Sequence, residues 1–102
     1  MKEMRTNLPD LDEVRRIICS GLRGYRARLY LYGSWAAGTE ARASDIDVAI
    51  LPMDSIPRDL VAEIREDLEQ SNVIYPVDLV DLSECSEDFR KRVLREGILW
   101  SE

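Results

Sequence analysis

Gly33 and Ser34 are followed, after ten intervening residues, by Asp45-Ile46-Asp47. The motif lies between two apolar runs, Arg28-Leu29-Tyr30-Leu31-Tyr32 before it and Val48-Ala49-Ile50-Leu51 after it. A Gly-Ser turn therefore follows one strand, and two carboxylates lie on the next. Residues two apart on a strand point to the same face, so Asp45 and Asp47 project together beside a phosphate-sized turn. Two parallel acids repel unless a cation sits between them. That geometry suits Mg²⁺ held against a triphosphate. Gly33 can take a positive φ and bring backbone N–H groups close to a ligand. Ser34 offers a hydroxyl and can cap a following helix, whose N-terminus is an anion site. No Lys lies near the turn, so the lysine-bearing phosphate loop is not matched and charge neutralisation falls mainly on metal ions.

A third acid is expected on a neighbouring strand. Val77-Asp78-Leu79-Val80-Asp81-Leu82 supplies two candidates. Asp78 lies inside the apolar run, where a charge is rarely placed unless it is paired or binds a metal. Asp81 is nearer the strand end, where it can cap or face water. Asp78 is therefore preferred, with Asp81 as the alternative. A tight turn is the plain reading of Gly33-Ser34 alone, and a solvated strand face is the plain reading of the acid pair. The second weakens because Ile46, Val48, Ile50 and Leu51 make that strand apolar on both sides.

The elements that must position these residues alternate. Asp10 reads as an N-cap with Glu13 three residues on, and Leu11, Val14, Ile18 and Leu22 recur at helical spacing. Gly21 and Gly24 end that helix. A strand is predicted over 26–32, a short helical stretch from the Gly33-Ser34 turn to residue 40, and a second strand over 45–51. Pro57 fits a helix first turn, with Leu60, Ile64 and Leu68 as the buried stripe. A third strand falls within 73–82. Phe89, Val93 and Leu94 mark a last helix stopped by Gly97, and Ile98-Leu99-Trp100 form a final strand or packing tail. Alternating helices and strands argue an α/β sandwich with one sheet. The link from Tyr32 to Asp45 is short for a parallel crossover, so an antiparallel or mixed pairing of the first two strands is expected.

The 102 residues suit one small domain over 1–102. Such a chain buries roughly two-thirds of its unfolded surface, so a partner or the substrate must complete any active site. With 14 Lys and Arg against 20 Asp and Glu, the net charge is −6. Nucleic-acid affinity comes mostly from neutralising phosphates, so direct nucleic-acid binding is not expected, whereas a basic partner suits the charge. No apolar run spans a bilayer and no signal-peptide pattern is present, so a cytoplasmic protein is expected. Cys19 and Cys85 form no metal-type pair, and without any His a zinc site or a His-based triad is not expected. The basic run Arg90-Lys91-Arg92 with Arg95 is a solvated helix face or a partner-docking face. Glu63, Glu66, Asp67 and Glu69 read as solvent-facing. Trp100 reads as core, Trp35 as core or as a base or partner contact beside the site, and Tyr30 and Tyr32 as structural.

These residues together resemble the nucleotidyltransferase superfamily with the DNA polymerase β-type fold. Within it, the chain is most similar to the minimal nucleotidyltransferases, the antitoxin-like partners of HEPN-domain toxins. Gly33, Ser34, Asp45 and Asp47 stand at the family's Gly-Ser-x10-Asp-x-Asp spacing, and Asp78 stands in the Val-Asp-Leu-Val strand. Gly38, Ser44 and the Arg-Glu-Gly ending of the last helix also fit, and the resemblance spans about residues 25–100. It implies a single mixed sheet flanked by helices and a two-metal Mg²⁺ site with ATP as substrate. Asp45 and Asp47 would hold the nucleotide-bound Mg²⁺. Asp78 would help hold a second Mg²⁺ or activate the attacking hydroxyl, while Gly33 and Ser34 cradle the phosphates. It further implies transfer of AMP to a tyrosine hydroxyl of a HEPN toxin, and hence a hetero-oligomer; a non-catalytic antitoxin acting by complex formation is the alternative. Many relatives carry Arg at one or both positions held here by Trp35 and Ala37. That departure predicts weaker phosphate affinity or an Arg from a partner, with Arg42 a local substitute.

Overall fold

The computed structural model describes residues 9–33, 35 and 45–101. Helix α1 spans Pro9–Gly21 and buries Leu11, Val14 and Ile18, a stripe at helical spacing that Leu22 continues. Its start corrects the sequence reading. Pro9 is already helical, as the fixed φ of proline favours at a first helical position. Asp10 is thus a residue of the first turn, where with Asp12 it faces the positive end of the helix dipole, and not the N-cap. Glu13 pairs with Arg16 at 2.6 Å and 3.0 Å instead of closing a capping box.

Strands β1 (Ala27–Tyr32) and β2 (Ile46–Pro52) lie on either side of the Gly33 turn. Helix α2 (Arg58–Glu69) has Pro57 as its N-cap in extended backbone, φ −63° and ψ 142°, and not in its first turn. Its buried stripe is Val61, Ile64 and Leu68; Leu60 is only half-buried at the stripe's edge. Strand β3 covers Val77–Asp81 and so starts later than the apolar run suggests. Pro76, which has no N–H to give a ladder, stands just before it and accepts a hydrogen bond from Ile46 N at 2.8 Å. A 3-10 turn, Leu82–Glu84, leads to helix α3 (Glu87–Glu96), whose N-cap Ser86 accepts from Phe89 N. Strand β4 (Ile98–Ser101) ends the described chain.

The four strands form one mixed sheet in the order β3-β2-β1-β4. β1 is antiparallel to both β2 and β4, as the short link between the first two strands requires, whereas β2 and β3 are parallel. Alternation divides the strands between two faces. Leu29, Leu31, Val48, Ile50 and Leu79 join the core formed with α1 and α2. Tyr30, Tyr32, Ala49 and Val80 face the smaller cluster built on Val93 and Phe89 of α3. Among the described residues no helix is long and apolar enough to cross a membrane.

Candidate active site

The register of the sheet brings the acids together. Asp47 of β2 is the partner of Tyr32 on β1 and of Asp78 on β3, so the three side chains stand in a row on the α3 face. Neighbouring strands are about 4.8 Å apart, which sets the spacing of that row. Asp45 precedes β2 by one residue and is exposed. Asp81 pairs with Ile50, a residue of the opposite face, and its carboxylate accepts from Ser83 N and Ser83 Oγ at 2.9 Å and 2.7 Å. It caps the 3-10 turn and is turned away from Asp45 and Asp47. Contrary to the expectation for a charge inside an apolar run, Asp78 is exposed, and no charged side chain among the described residues is buried. Register and face, not burial, associate Asp78 with Asp47.

Electrostatics agree with this placement. Partial burial, then the charge of Asp78, then that of Asp45, raise the Asp47 carboxyl above its ordinary value. Tyr32 is pushed further up by its burial and by Asp78, Asp47 and Cys85, so its phenol is neutral at physiological pH. Among the described residues, none of the ion pairs of Lys and Arg involves Asp45, Asp47 or Asp78. No three acidic or thiol side chains among the described residues are drawn into a ready-made metal cage. Like charges without a cation between them have no cause to converge. The donor chemistry nonetheless fits a hard divalent cation: oxygen donors only, unpaired, electrostatically coupled, and on adjacent strands. The strands fix the Cβ positions, and side-chain rotation governs the rest.

Gly33 has φ +77°, the left-handed region that favours glycine. A Cβ built there would overlap Asp47 Oδ2 and lie 3.2 Å from Asp47 Cγ. The turn thus passes directly over the central carboxylate, and only a residue without a side chain fits. Ser34, Ala37, Gly38, Arg42 and Ser44 lie outside the described residues. Trp35 is buried, 4% exposed, in the α1–α2 core, with its ring edge-on to Tyr75 at 5.1 Å. It is a core residue and not a contact for a base or a partner. Trp35→Arg is therefore expected to destabilise the fold by about 3 kcal/mol or more, since it loses aromatic packing and buries a charge. Thermal melting with a nucleotide titration checks this; tighter nucleotide binding at unchanged stability would show that position 35 reaches the phosphates.

Tyr32 has the structural role that the sequence suggests. Its ring does pack edge-on against Phe89 at 5.7 Å. It also flanks Asp47, a placement that strand alternation makes visible once the antiparallel register is known. Beyond it, Tyr32, Gly33, Arg92, Val93 and Glu96 line a cavity of about 280 Å³, which Asp47 and Asp78 do not themselves line. The remaining cations of the basic run are engaged by α3 and its surroundings: Arg90 donates to the Leu82 carbonyl at 3.1 Å and Lys91 pairs with Glu87 at 3.5 Å.

The sequence profile of the family described as "Polymerase beta, Nucleotidyltransferase" matches residues 26–102. The chain is 38% identical over 69 residues to the protein adenylyltransferase MntA of Shewanella oneidensis, covering 68% of this chain and 49% of that protein. It thus spans about half the length of this curated relative. A chain in the crystal structure of a toxin–antitoxin with AMP-PNP superposes with a TM-score of 0.74 at 29% identity, covering 93% of this chain and 75% of that one. The complex of tri-AMPylated Shewanella oneidensis HEPN toxin with MNT antitoxin holds a chain of the same fold, with a TM-score of 0.65 at 24% identity over 100% of this chain and 74% of that one.

Proposed function

The chain belongs to the polymerase beta nucleotidyltransferase family, and we propose that it is a Mg²⁺-dependent antitoxin that transfers AMP from ATP to a tyrosine hydroxyl of a partner HEPN toxin. The observation that carries this reading is the Tyr32–Asp47–Asp78 row under the side-chain-free Gly33 turn. Asp45, Asp47 and Asp78 are the residues that would hold the metal. Bound there, Mg²⁺ would neutralise triphosphate charge and the charge that develops on the reacting oxygens.

The chain's own groups then have definite tasks. The Gly33 turn and Ser34 seat the phosphates, where exposed backbone N–H groups bind anions. The row of carboxylates repels a bare phosphate, so it would orient the α-phosphate toward the incoming hydroxyl only through the cation it would hold. The tyrosine oxygen bonds to the α-phosphorus as the bond to the bridging oxygen breaks, and pyrophosphate leaves with that electron pair. A phenol is a weak nucleophile at neutral pH, so its proton must be taken up. Asp78, exposed at the rim of the row, would accept it. A curated relative named a protein adenylyltransferase, and a toxin–antitoxin structure with AMP-PNP that holds a similar chain, support this assignment of partner and nucleotide.

A second reading, an antitoxin that neutralises its toxin by complex formation alone, is favoured by the burial of Trp35, which supplies no charge for a phosphate. Intact mass of the toxin after incubation with this protein, ATP and Mg²⁺ separates the two. The proposed activity predicts a gain of one or more AMP units that disappears in the Asp45→Asn/Asp47→Asn variant. Tight complex formation without a mass gain would overturn transfer and leave the binding reading.

A further inference from the structure

We propose that Arg92 binds the triphosphate of the nucleotide substrate from α3, supplying a positive charge that the buried Trp35 does not. This inference rests on the nucleotidyltransferase reading and adds a residue to that site. Four observations lead to it.

First, Arg92 lines the same cavity as Gly33 and Tyr32, the two residues that border Asp47. Gly33 of the turn and Arg92 therefore share one recess, which adjoins the acid row through Tyr32 and Gly33 and is not lined by Asp47 or Asp78. Its volume of about 280 Å³ lies near the low end for small-molecule sites and suits a phosphate chain better than a whole nucleotide.

Second, Arg92 is unengaged where its neighbours are not. Arg90 holds the Leu82 carbonyl, Lys91 pairs with Glu87, and Arg95 pairs with Glu96 at 3.3 Å. Among the described residues Arg92 makes no ion pair. The pairing of Arg95 with Glu96 also offsets the one carboxylate that lines the recess.

Third, its position is held by apolar contact. The guanidinium carbon lies 5.6 Å from the Phe89 ring centroid, and that ring stands edge-on to Tyr32 at 5.7 Å. Stacking on an aromatic face orients the planar group and leaves its N–H donors open. Five donors in a fixed fork match phosphate oxygens, often in pairs.

Fourth, the local charge requires it. A triphosphate brought beside three carboxylates adds like charge to like charge, and metal ions alone must otherwise offset both. A cavity of equal size at the far end of β3 offers no free cation. Its Arg58 pairs with Glu84, and its Arg65 donates twice to the Leu79 carbonyl.

Titration calorimetry with ATP and with AMP, in Mg²⁺, tests the proposal on wild type, Arg92→Ala, Arg92→Lys and Lys91→Ala. Loss of a charge-assisted hydrogen bond predicts ATP affinity about 10- to 100-fold weaker in Arg92→Ala, with AMP affinity changed less than about 3-fold. Arg92→Lys should recover part of the loss, and Lys91→Ala should match wild type. In the transfer assay KM for ATP should rise more than kcat falls. Equal weakening of ATP and AMP, or wild-type ATP binding by Arg92→Ala, would overturn the role of Arg92 and leave the nucleotidyltransferase reading standing. So would a variant impaired only in toxin binding, which would make Arg92 a docking residue. A wild-type protein that binds no ATP would overturn both.

Discussion

Asp47→Asn is expected to abolish AMP transfer and, in the same protein without metal, to raise the melting temperature. The first effect is large because Asp47 is the middle of the row, between Tyr32 and Asp78. A bound divalent cation supplies several kcal/mol of charge stabilisation, and each 1.4 kcal/mol is tenfold in rate. Losing its central ligand should cost about 10³-fold or more. The second effect has the opposite sign because the charge of Asp47 opposes folding. Burial first, then Asp78, then Asp45, raise its carboxyl above the ordinary 3.8, so the folded chain holds that proton more tightly than the unfolded chain. The stability it contributes is present below pH 3.8 and is lost as pH rises through the raised folded value. At neutral pH the whole penalty applies, and asparagine removes it. The group is more exposed than buried, so solvent screening holds the gain to at most about 1 kcal/mol, equivalent to roughly 4–8 °C in a domain of this size. Thermal melts in chelator at pH 7 and near pH 3.5 read the effect: a gain at the higher pH that shrinks at the lower. Added Mg²⁺ should raise the melting temperature of wild type and not of Asp47→Asn. A metal-free variant that melts below wild type at pH 7 would refute the repulsion argument.

What the sequence made legible, and what it did not, follows from how local each signal is. Spacing alone suggests one face for Asp45 and Asp47, but alternation has a fixed period only within a strand, and Asp45 precedes β2 by one residue. Gly33 is equally legible as a turn, but its contact with Asp47 is not, since it depends on how β1 and β2 pair. The choice between Asp78 and Asp81 needed the β2–β3 register. The two residues are an odd number of positions apart and so lie on opposite faces, and only pairing with β2 shows which face carries the acids. Periodicity found the helix stripes but misplaced their ends. Pro9, Pro57 and Pro76 each act through a missing N–H and a fixed φ, and these set boundaries that hydrophobic spacing does not report. Trp35 was ambiguous because a large ring beside a site serves equally as a lid or as core. Its contact with Tyr75, forty residues away in sequence, decides for core, and no local pattern encodes that contact. Arg92 was one letter in a basic run until the partners of Arg90, Lys91 and Arg95 set it apart.

Gly33→Ala is expected to lose much of the transfer activity, though less than Asp47→Asn, and to lose stability where Asp47→Asn gains it. Two physical costs act at once. A left-handed φ of +77° is roughly 1–2 kcal/mol less favourable for alanine than for glycine. The new methyl group would also occupy the space of Asp47 Oδ2. The turn is continuous with β1 and cannot move without disturbing the pairing of Tyr32 with Asp47, so the carboxylate must rotate away. Displacing a reacting group by about 1 Å can cost 10²-fold in rate. The expected result is transfer reduced about 10²-fold or more, with stability lower by more than the roughly 1–2 kcal/mol of backbone strain alone. A double-mutant cycle separates the two costs. In an Asp47→Ala background the overlap with Oδ2 and Cγ disappears and only Asp47 Cβ remains, at 3.4 Å, an ordinary contact. Gly33→Ala should then cost only the backbone strain, and the difference between the two backgrounds measures the collision itself. If Gly33→Ala is equally destabilising with and without the Asp47 carboxylate, the glycine serves the turn alone. If it also transfers AMP at the wild-type rate, the turn does not shape the acid row, and the geometric case for the site fails at its centre.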